Sequence, residues 1–349
     1  MVSNRERDVA GQSIEIAGGG LAGLALGIGL RRRGVGVCLH EAGSYPRHRV
    51  CGEFINGVSA GTLAALGIDD LFEDALRLEQ TRWYRDGEER HRARLPRPAL
   101  AVSRYRLDDR MRERFEELGG ELGTGSRVRF EEREGLVWAA GRAIEKEGTW
   151  VGLKSHFSGV EVSGDLEMHL GRGGYAGMAP VEDGYVNVCG LFPAGRLPAG
   201  ERGVGLLLAV LRAYGLEGLA AKLEAGEHRE GSFVGAAGFA LGRQRSAGVG
   251  CSLGDAEAII PPFTGNGMSM AFEAAETAAG PIERYARGET GWDAVCEEVR
   301  YGLERRFRTR LRTARVVHPL LLRPMGQKVL VGAGRAHLVP FRLMHSLLS

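Results

Sequence analysis

Three glycines near the N-terminus have a spacing that could hold a diphosphate group. From Gly18 the chain reads Gly-Gly-Gly-Leu-Ala-Gly, which contains a G-x-G-x-x-G pattern. Gly18 would make a tight turn, Gly20 would let the backbone approach a pyrophosphate, and Gly23 would let a helix pack closely on a strand. Leu21 and Ala22 would open that helix, whose free N–H groups and positive dipole end attract phosphate.

The flanking residues predict the elements that this pattern needs. Residues 13–17 predict a short buried strand, residues 18–33 a helix that stops at Gly34, and residues 35–40 a second strand. Glu41 closes that strand, where a carboxylate can bind ribose hydroxyls and argues against a 2′-phosphate. A glycine-rich turn without a ligand is the alternative, but the strand, helix and distal acid favour a dinucleotide, FAD or NAD rather than NADP.

A second glycine cluster lies far along the chain. Asp255 follows a predicted strand, and a run from Pro262 through Gly265 and Gly267 to Met268 opens a predicted helix. The sequence here resembles the flavoprotein superfamily of aromatic hydroxylases (group A flavoprotein monooxygenases), flavin-dependent halogenases and geranylgeranyl reductases. The resemblance implies FAD, with Asp255 on the ribityl chain and the glycine run at the pyrimidine edge of the isoalloxazine. A helix N-terminus there would stabilise the negative charge of reduced flavin.

Two further segments match the same superfamily. The run leading to Cys51 resembles the P-R-x-[KR]-x-C-G segment of geranylgeranyl reductase-like proteins, which implies that Arg49 contacts FAD phosphates and that Cys51 lies beside the flavin. Cys51 could position or protonate substrate there, or be a small buried packing residue. The segment carrying Arg104 implies a cofactor contact by that arginine. Val128, in a strand predicted over 127–130, completes the expected cofactor contacts.

One departure bears on the electron donor. The superfamily usually has an Asp-Gly motif after the strand predicted at 136–139, whereas this chain reads Ala139-Ala140-Gly141-Arg142. The missing acid puts direct use of NAD(P)H in doubt, and no second dinucleotide fingerprint replaces it. We therefore expect an external electron donor, either NAD(P)H or a reductase. The tryptophan-rich motif of halogenases is also absent.

The middle of the chain predicts a substrate-binding sheet. Alternating apolar residues indicate four strands of an antiparallel sheet, over 150–157, 165–170, 175–180 and 185–191. The strand with Tyr175 resembles the one that faces the flavin in the reductases. His156 and His169 lie on these strands, where each could be an acid or base or a hydrogen-bonded structural histidine.

These patterns together predict an α/β fold: a Rossmann-type FAD-binding domain with an inserted antiparallel-sheet substrate domain and C-terminal helices. The predicted FAD domain is discontinuous (1–78, 100–149 and 244–285), the sheet domain comprises 79–99 and 150–243, and 286–349 form the helical segment. Seven arginines between positions 300 and 315 crowd one helix. That basic amphipathic helix could touch an anionic membrane, or present an ordinary solvated face.

Composition limits the classes of function. The 349 residues carry a net charge of +2, which gives no electrostatic reason to expect nucleic acid as a partner. The five cysteines are widely spaced without a CxxC pair, so neither disulfides nor a metal site is expected. A charged N-terminus argues against a signal peptide, and we expect a cytoplasmic protein.

The expected reaction is an oxidoreduction of a small, apolar organic substrate. The main hypothesis is a reductase or dehydrogenase that transfers hydride between flavin N5 and an unsaturated substrate, as in geranylgeranyl reductase-like proteins. The alternative is a monooxygenase that hydroxylates an aromatic or polyketide-like molecule. A protein that binds FAD without redox chemistry is a third hypothesis, which the intact second glycine cluster disfavours.

Overall fold

A computed structural model describes residues 11–142, 149–244 and 250–335. The described strands are β1 Ile14–Ala17, β2 Val37–Glu41, β3 Phe54–Ile55, β4 Leu76–Arg85, β5 Glu88–Ala101, β6 Glu121–Thr124, β7 Leu136–Trp138, β8 Trp150–Ser158, β9 Leu166–Leu170, β10 Tyr175–Pro180, β11 Val186–Pro193, β12 Glu227–His228, β13 Val234–Phe239, β14 Gly242–Arg243, β15 Cys251–Ser252 and β16 Ala258–Ile259. The described helices are α1 Leu21–Arg31, α2 Ala60–Leu66, α3 Arg104–Glu117, α4 Gly203–Ala213, α5 Glu217–Glu224, α6 Gly267–Ala286, α7 Trp292–Leu322 and α8 Pro324–Arg335.

A parallel sheet carries the first glycine motif. Its strand order is β15-β7-β1-β2-β6, and each of its pairs is parallel. The strands are short, and the central strands β1 and β7 with β15 are mostly buried, whereas the edge strand β6 is partly exposed. Helix α1 connects β1 to β2 and is buried over nearly its whole length. The β-α-β unit expected from the sequence is therefore present.

The prediction of a strand over 127–130 is wrong. These residues form an irregular connection between β6 and β7. Strand β6 is an edge of the parallel sheet, whereas β7 lies on the other side of β1. The chain must cross the sheet at this point and has no neighbouring strand to pair with, so the alternation of Arg and apolar residues did not produce a strand.

A larger, mixed sheet contains the expected substrate-side strands. Its order is β12-β8-β11-β10-β9-β4-β5-β3, with β13 also paired to β8. Strands β8 to β11 occupy the positions predicted from the sequence and are mutually antiparallel. The long β4–β5 hairpin was not predicted as strands, although its Asp86-Gly87 turn, in which both residues have positive φ, is a strong hairpin signal.

The helices cover both sheets and close the C-terminal side. Helices α1, α2 and α6 share one apolar core with the parallel sheet, whereas α4 and α5 pack on one face of the mixed sheet. Helices α7 and α8 form the expected C-terminal helical segment. The chain is thus mixed α/β with parallel and antiparallel sheets, and the domain boundaries given above stay a prediction. None of the helices described is long and apolar enough to cross a bilayer.

Two arginines of α7 pair with acids of α6, whereas the other arginines of this helix are exposed. Arg310 is 6% exposed and contacts both carboxylate oxygens of Glu273 on α6, at 2.8 and 3.4 Å. Arg306 binds Glu276 on the same helix at 2.7 Å. These pairs fasten α7 to α6, and nothing described supports the membrane contact that the arginine count had suggested.

Candidate active site

The first glycine turn has an open space above it. Gly18 has φ +110°, and a Cβ there would lie 2.3 Å from the carbonyl oxygen of Ala139. At Gly23 a Cβ would lie 2.0 Å from the Gly18 oxygen, so the start of α1 packs directly on the turn. A Cβ at Gly20 would meet nothing within 4 Å, and no side chain caps α1. A tight turn, a close helix and an uncapped helix start beneath free space fit a diphosphate group.

Glu41 lies at the end of β2 as expected, but its carboxylate is already surrounded by donors. It accepts hydrogen bonds from the backbone N–H groups of Gly19 (2.9 Å) and Gly43 (2.8 Å), and from Arg47 (2.6 Å). Burial alone would raise the pKa of Glu41, but these hydrogen bonds and the Arg49 charge hold it below its ordinary value. Ribose hydroxyls would therefore have to replace Arg47 as partners of this carboxylate.

A buried carboxylate joins the two predicted arginines. Asp108 on α3 is fully buried and receives two hydrogen bonds from Arg104, at 2.6 and 2.8 Å, and one from Arg49 at 2.9 Å. Arg49 also reaches Glu41 at 3.4 Å. The charged groups form a continuous line from the end of β2 to the start of α3. Sequence reasoning singled out both arginines and missed Asp108, whose i, i+4 spacing from Arg104 was the available signal.

The late glycine cluster meets the early one. A Cβ on Gly254 would lie 2.9 Å from the Cβ of Ala22, so the turn that carries Asp255 touches the first turn of α1. The Asp255 side chain is exposed to water. The surrounding protein nevertheless raises its pKa, against the opposing charges of Arg104, Arg142 and Arg49. Because water reaches the Asp255 carboxylate although protein surrounds it, this side chain lies in a cleft. Arg142, which follows the position where the superfamily has its Asp-Gly motif, lies near it.

The second glycine turn forms the next part of this cleft. Gly265 has φ +67°, and a Cβ there would lie 2.0 Å from the Phe54 ring. Its carbonyl oxygen accepts from the Asn56 backbone N–H at 3.2 Å, which places the segment after Cys51 beside this turn. A Cβ at Gly267 would meet nothing within 4 Å, so the uncapped start of α6 is open.

The remaining predicted cofactor residues differ in what they can offer. Pro262 begins a short 3-10 turn ahead of α6. Met268 is 4% exposed and its side chain belongs to the main core, so only its backbone could face a ligand. Leu21 is also buried in that core. Val128 is half-buried in the irregular connection between β6 and β7, away from the strand position expected for it.

The mixed sheet presents one apolar and one polar face. On β8, Val151, Leu153 and Phe157 point into the core shared with α4 and α5. The alternate residues must lie on the other face. They include Lys154 and His156, and the residues directly opposite them on β11 are Cys189 and Asn187.

That polar face meets the segment beside the second glycine turn. Asn187 donates to the carbonyl oxygen of Cys51 at 3.0 Å. Cys51, Cys189 and the paired Gly177 on β10 are half-buried although they lie well inside the molecule. Water therefore reaches a space between the sheet and the Cys51 segment, which is where a substrate could lie.

Cys51 lies in the predicted place, but its thiol is not activated. Burial raises the pKa of Cys51, although the Arg104 charge acts in the other direction. Burial also raises the pKa of Cys189 well above its ordinary range. Because a thiolate is the reactive form, both side chains are suited to shaping the space rather than to nucleophilic chemistry.

A buried ion cluster stands behind this space. Glu53 has φ +56°, an unusual conformation for a residue other than glycine, and is fully buried. Its carboxylate accepts from His156 at 2.5 Å, from the Arg104 backbone N–H at 3.0 Å and from Lys154 at 3.2 Å. Burial alone would raise the pKa of Glu53, but the His156 hydrogen bond and the Lys154 charge hold it below its usual value.

The same cluster contains atoms that could hold a metal ion. The ligand atoms of His48, Glu53 and His156 lie within 4.8 Å of one another. Lys154, however, places its ammonium 2.9 Å from His48 Nδ1 and 3.2 Å from Glu53. A lysine cation thus already supplies the positive charge that a metal would bring, and we assign no metal to this cluster.

The C-terminal helix α7 also reaches the site, which the sequence did not indicate. His318 stacks on Phe263 of the second glycine turn, with ring centroids 6.0 Å apart, and lies edge-on to Tyr175 of β10 at 5.9 Å. Trp150 of β8 contacts it at 5.2 Å. Burial lowers the pKa of His318 to about 4, so this ring is neutral. The predicted flavin-facing strand therefore packs against the second glycine turn through aromatic rings.

Comparison with known proteins gives a fold but no sequence family. No protein-family model matches the chain, and no curated protein sequence does so. Solved structures match nearly all of it. The structure of the p-nitrophenol 4-monooxygenase PnpA from Pseudomonas putida DLL-E4 superposes with a TM-score of 0.76 at 13% identity, covering 97% of this chain and 96% of that chain. A triple mutant of the flavin-dependent brominase Bmp2 gives 0.75 at 17% identity, covering 97% and 95%.

PqsL from P. aeruginosa, in complex with 2-aminobenzoylacetate, gives a TM-score of 0.69 at 17% identity, covering 89% of this chain and 96% of that chain. This chain has their fold. Identities this low establish the fold alone, so the roles of individual residues depend on the geometry described above.

That geometry brings most of the predicted residues together. The contacts connect the first glycine turn, Glu41, Arg49, Arg104 and Asp255, and the second glycine turn adjoins the segment that follows Cys51. His156 belongs to the buried cluster. His169 lies elsewhere on the mixed sheet, where it stacks on Tyr84 and hydrogen-bonds to Glu167 at 2.9 Å. Its contacts fit a hydrogen-bonded structural histidine rather than an acid or base.

Proposed function

We propose that this protein is an FAD-dependent monooxygenase of a small, largely apolar organic molecule. The observation that carries the proposal is that the turn with Asp255 touches the uncapped start of α1, where Gly254 lies against Ala22, while α6, whose start is also uncapped and glycine-lined, packs in the same core as α1. One open turn suits a diphosphate and the other suits a flavin ring, while Asp255 lies between them. The two turns, at Gly20 and Gly267, are 247 residues apart in the sequence, and one elongated molecule that spans both would use the two open helix starts together.

The residues around this cleft fit FAD. The α1 start would bind the diphosphate, Glu41 the ribose, Asp255 the ribityl hydroxyls, and the open α6 start the pyrimidine edge. Arg49 and Arg104, held by Asp108, would place positive charge beside the phosphates and the ribityl chain. When bound, the flavin would carry the redox chemistry: it would accept electrons from the donor and react with oxygen.

The comparisons favour oxygenation over the reductase hypothesis. One neighbour is named as a monooxygenase and another as a flavin-dependent brominase. The expected geranylgeranyl reductase-like activity has no comparable support. The space between Cys51, Cys189 and Gly177 is bounded by small side chains, so it suits an organic molecule of modest size.

The cofactor part of the proposal is tested by flavin content. Purified protein should be yellow and should release FAD on denaturation. Asp255→Ala should lower the FAD retained after gel filtration, whereas Asp293→Ala, an acid at the start of α7, should not. A protein that cannot be reconstituted with FAD, or equal retention in both variants, contradicts the assignment.

The reaction is tested by the need for oxygen. Reduced holoenzyme should be mixed with candidate aromatic and polyketide-like substrates, with and without O2, in ¹⁸O-labelled gas. A product that contains one labelled oxygen atom supports a monooxygenase. Reoxidation of the flavin by a substrate without oxygen would instead restore the reductase hypothesis.

A further inference from the structure

Two of the five cysteines meet where α7 packs against the parallel sheet. Cys251 begins β15 and is 2% exposed, whereas Cys296 lies on α7 and is half-buried. Both belong to the main apolar core, and the Cys251 thiol donates a hydrogen bond to the Cys296 sulfur. The structure therefore brings together two free thiols that their sequence spacing gave no reason to pair.

A cavity of about 430 Å³ opens over Cys296. Its lining comes from the connection before β7, the entry to β15 and the first turns of α7. The Gly250 backbone N–H donates to Glu132 at 3.2 Å, which holds two of these segments together. Glu132 and Asp293 are exposed at the wall of the cavity, so water reaches Cys296 from this side, while Cys251 lies behind it. A small molecule in solution can thus reach one thiol of the pair.

The contact between the two thiols gives them different reactivity. The hydrogen bond from Cys251 lowers the pKa of Cys296 because it stabilises the thiolate, and the Arg300 charge acts in the same direction. Burial, Asp293 and Glu132 oppose this effect only in part. The same hydrogen bond, with burial, raises the pKa of Cys251. Since the thiolate is the reactive form, Cys296 is suited to react first and Cys251 second.

Another pair of cysteines in the same chain lacks this difference. Cys51 and Cys189 border the proposed substrate space, and burial raises the pKa of both thiols. Neither is therefore prepared to react as a thiolate. This second pair is an internal comparison for the first, because both pairs meet an added oxidant in the same sample.

We propose that Cys251 and Cys296 form a redox-sensitive site, at which hydrogen peroxide produces a reversible disulfide between β15 and α7. The Cys296 thiolate attacks one peroxide oxygen, the O–O bond breaks, and the departing hydroxide takes up the proton that Cys296 had released. The Cys251 sulfur then attacks the sulfur of the resulting sulfenic acid, the S–O bond breaks, and the Cys251 proton leaves with the hydroxyl as water. Two thiols lose two electrons, and one peroxide becomes two water molecules.

The disulfide would fasten part of the proposed FAD site to α7. The chain between the two cysteines contains Asp255, the second glycine turn and α6. Closing this loop restricts the unfolded chain, so the melting temperature of the oxidised protein should be about 5 °C above that of the reduced protein. The inference goes beyond the proposed function and does not depend on it.

Peptide mapping after peroxide treatment tests the site. The whole chain is treated with hydrogen peroxide, alkylated, digested without reductant and analysed by mass spectrometry. We expect the loss of two thiols per chain, a linked peptide that joins Cys251 to Cys296, and recovery of both thiols with dithiothreitol. Cys51 and Cys189 should stay reduced. A disulfide between any other two cysteines, or a Cys251–Cys296 pair that stays reduced while another cysteine is oxidised, overturns the proposal.

Single substitutions test the order of the two steps. Cys296→Ala should slow the loss of thiols to peroxide at least about tenfold, since it removes the thiolate. Cys251→Ala should leave a sulfenic acid on Cys296, which dimedone traps. Cys38→Ala, which removes a half-buried cysteine whose pKa burial raises, is the matched control and should behave like the wild type.

Two results with these variants would contradict the assigned roles. Thiol loss in Cys296→Ala at the rate of the wild type would show that another cysteine reacts first. The absence of a dimedone adduct on Cys296 in Cys251→Ala would exclude the sulfenic acid step. The wild-type peptide map needs no substitution, so the proposal can still be refuted where a variant fails to fold.

Discussion

Removing the Asp108 carboxylate is the sharpest test of the charged line along the cleft. Asp108→Ala would leave Arg104 and Arg49 without the fully buried carboxylate that receives three of their hydrogen bonds. Breaking a buried ion pair by removing one partner costs about 3–5 kcal/mol. The Arg49 side chain is 26% exposed and that of Arg104 is 12% exposed, so water will stabilise the freed guanidinium groups in part. We therefore expect a loss of about 3 kcal/mol in the free energy of unfolding.

This loss converts into a measurable change in melting temperature. An unfolding entropy of about 2.1 cal/mol/K per residue gives about 0.7 kcal/mol/K for 349 residues, so Tm should fall by about 4 °C. Calorimetry and urea titration of the FAD-free protein would measure it. FAD retention should fall as well, because the two arginines lose the group that orients them toward the cleft.

The neighbouring residue provides a matched control. Asp109→Ala removes an acid of the same helix whose side chain is 27% exposed and pairs with Arg112, which also contacts Glu113 and Glu116. Its effect on stability should stay within about 0.5 kcal/mol. If both variants unfold alike, the Asp108 cluster does not stabilise the fold, and the reasoning from burial fails.

Three other predictions follow from the glycine turns and the sheet. Gly23→Ala should lower stability by about 1–3 kcal/mol in urea unfolding, because its Cβ would meet the Gly18 oxygen at 2.0 Å. Gly20→Ala adds its Cβ in open space, so it should keep the stability of the protein but lose bound FAD. The reverse pattern would contradict the roles assigned to these two glycines. Gly265→Ala should cost about 2–4 kcal/mol, from its positive φ and from the Phe54 ring, and an unchanged Tm would argue against this turn. Burial alone would raise the pKa of Glu167, but the His169 hydrogen bond lowers it from 4.5 to about 2. The ionised carboxylate should therefore contribute fully to the free energy of unfolding above pH 4.5, and this contribution should disappear as the pH falls toward 2. Glu167→Gln should flatten the acid limb of the stability–pH curve, and an unchanged limb would refute the pKa shift.

The glycine motifs could be recognised from the sequence because their chemistry is local. Gly18 adopts a positive φ, and Gly23 lacks the side chain that would meet the Gly18 oxygen five residues earlier, so the spacing indicates the turn. The β-α-β unit and the strands β8 to β11 were predictable from local patterns as well. The β4–β5 hairpin carried an Asp-Gly signal of equal quality and was overlooked.

The site beyond those motifs depends on contacts between distant segments. Asp108 is one acid among several on α3, and only the packing of α3 against the segment with Arg49 makes it a buried counter-ion. Glu53 and Lys154 are 101 residues apart, and His318 comes from a helix expected merely to close one side.

By itself, the sequence determined which turns could hold a dinucleotide, since backbone conformation there depends on the glycines themselves. Only the tertiary structure decided that both turns share one cleft and that the polar face of the mixed sheet, with its buried lysine, lies over it. Burial and ion pairing are set by which surfaces meet, and no local pattern in the chain encodes that meeting.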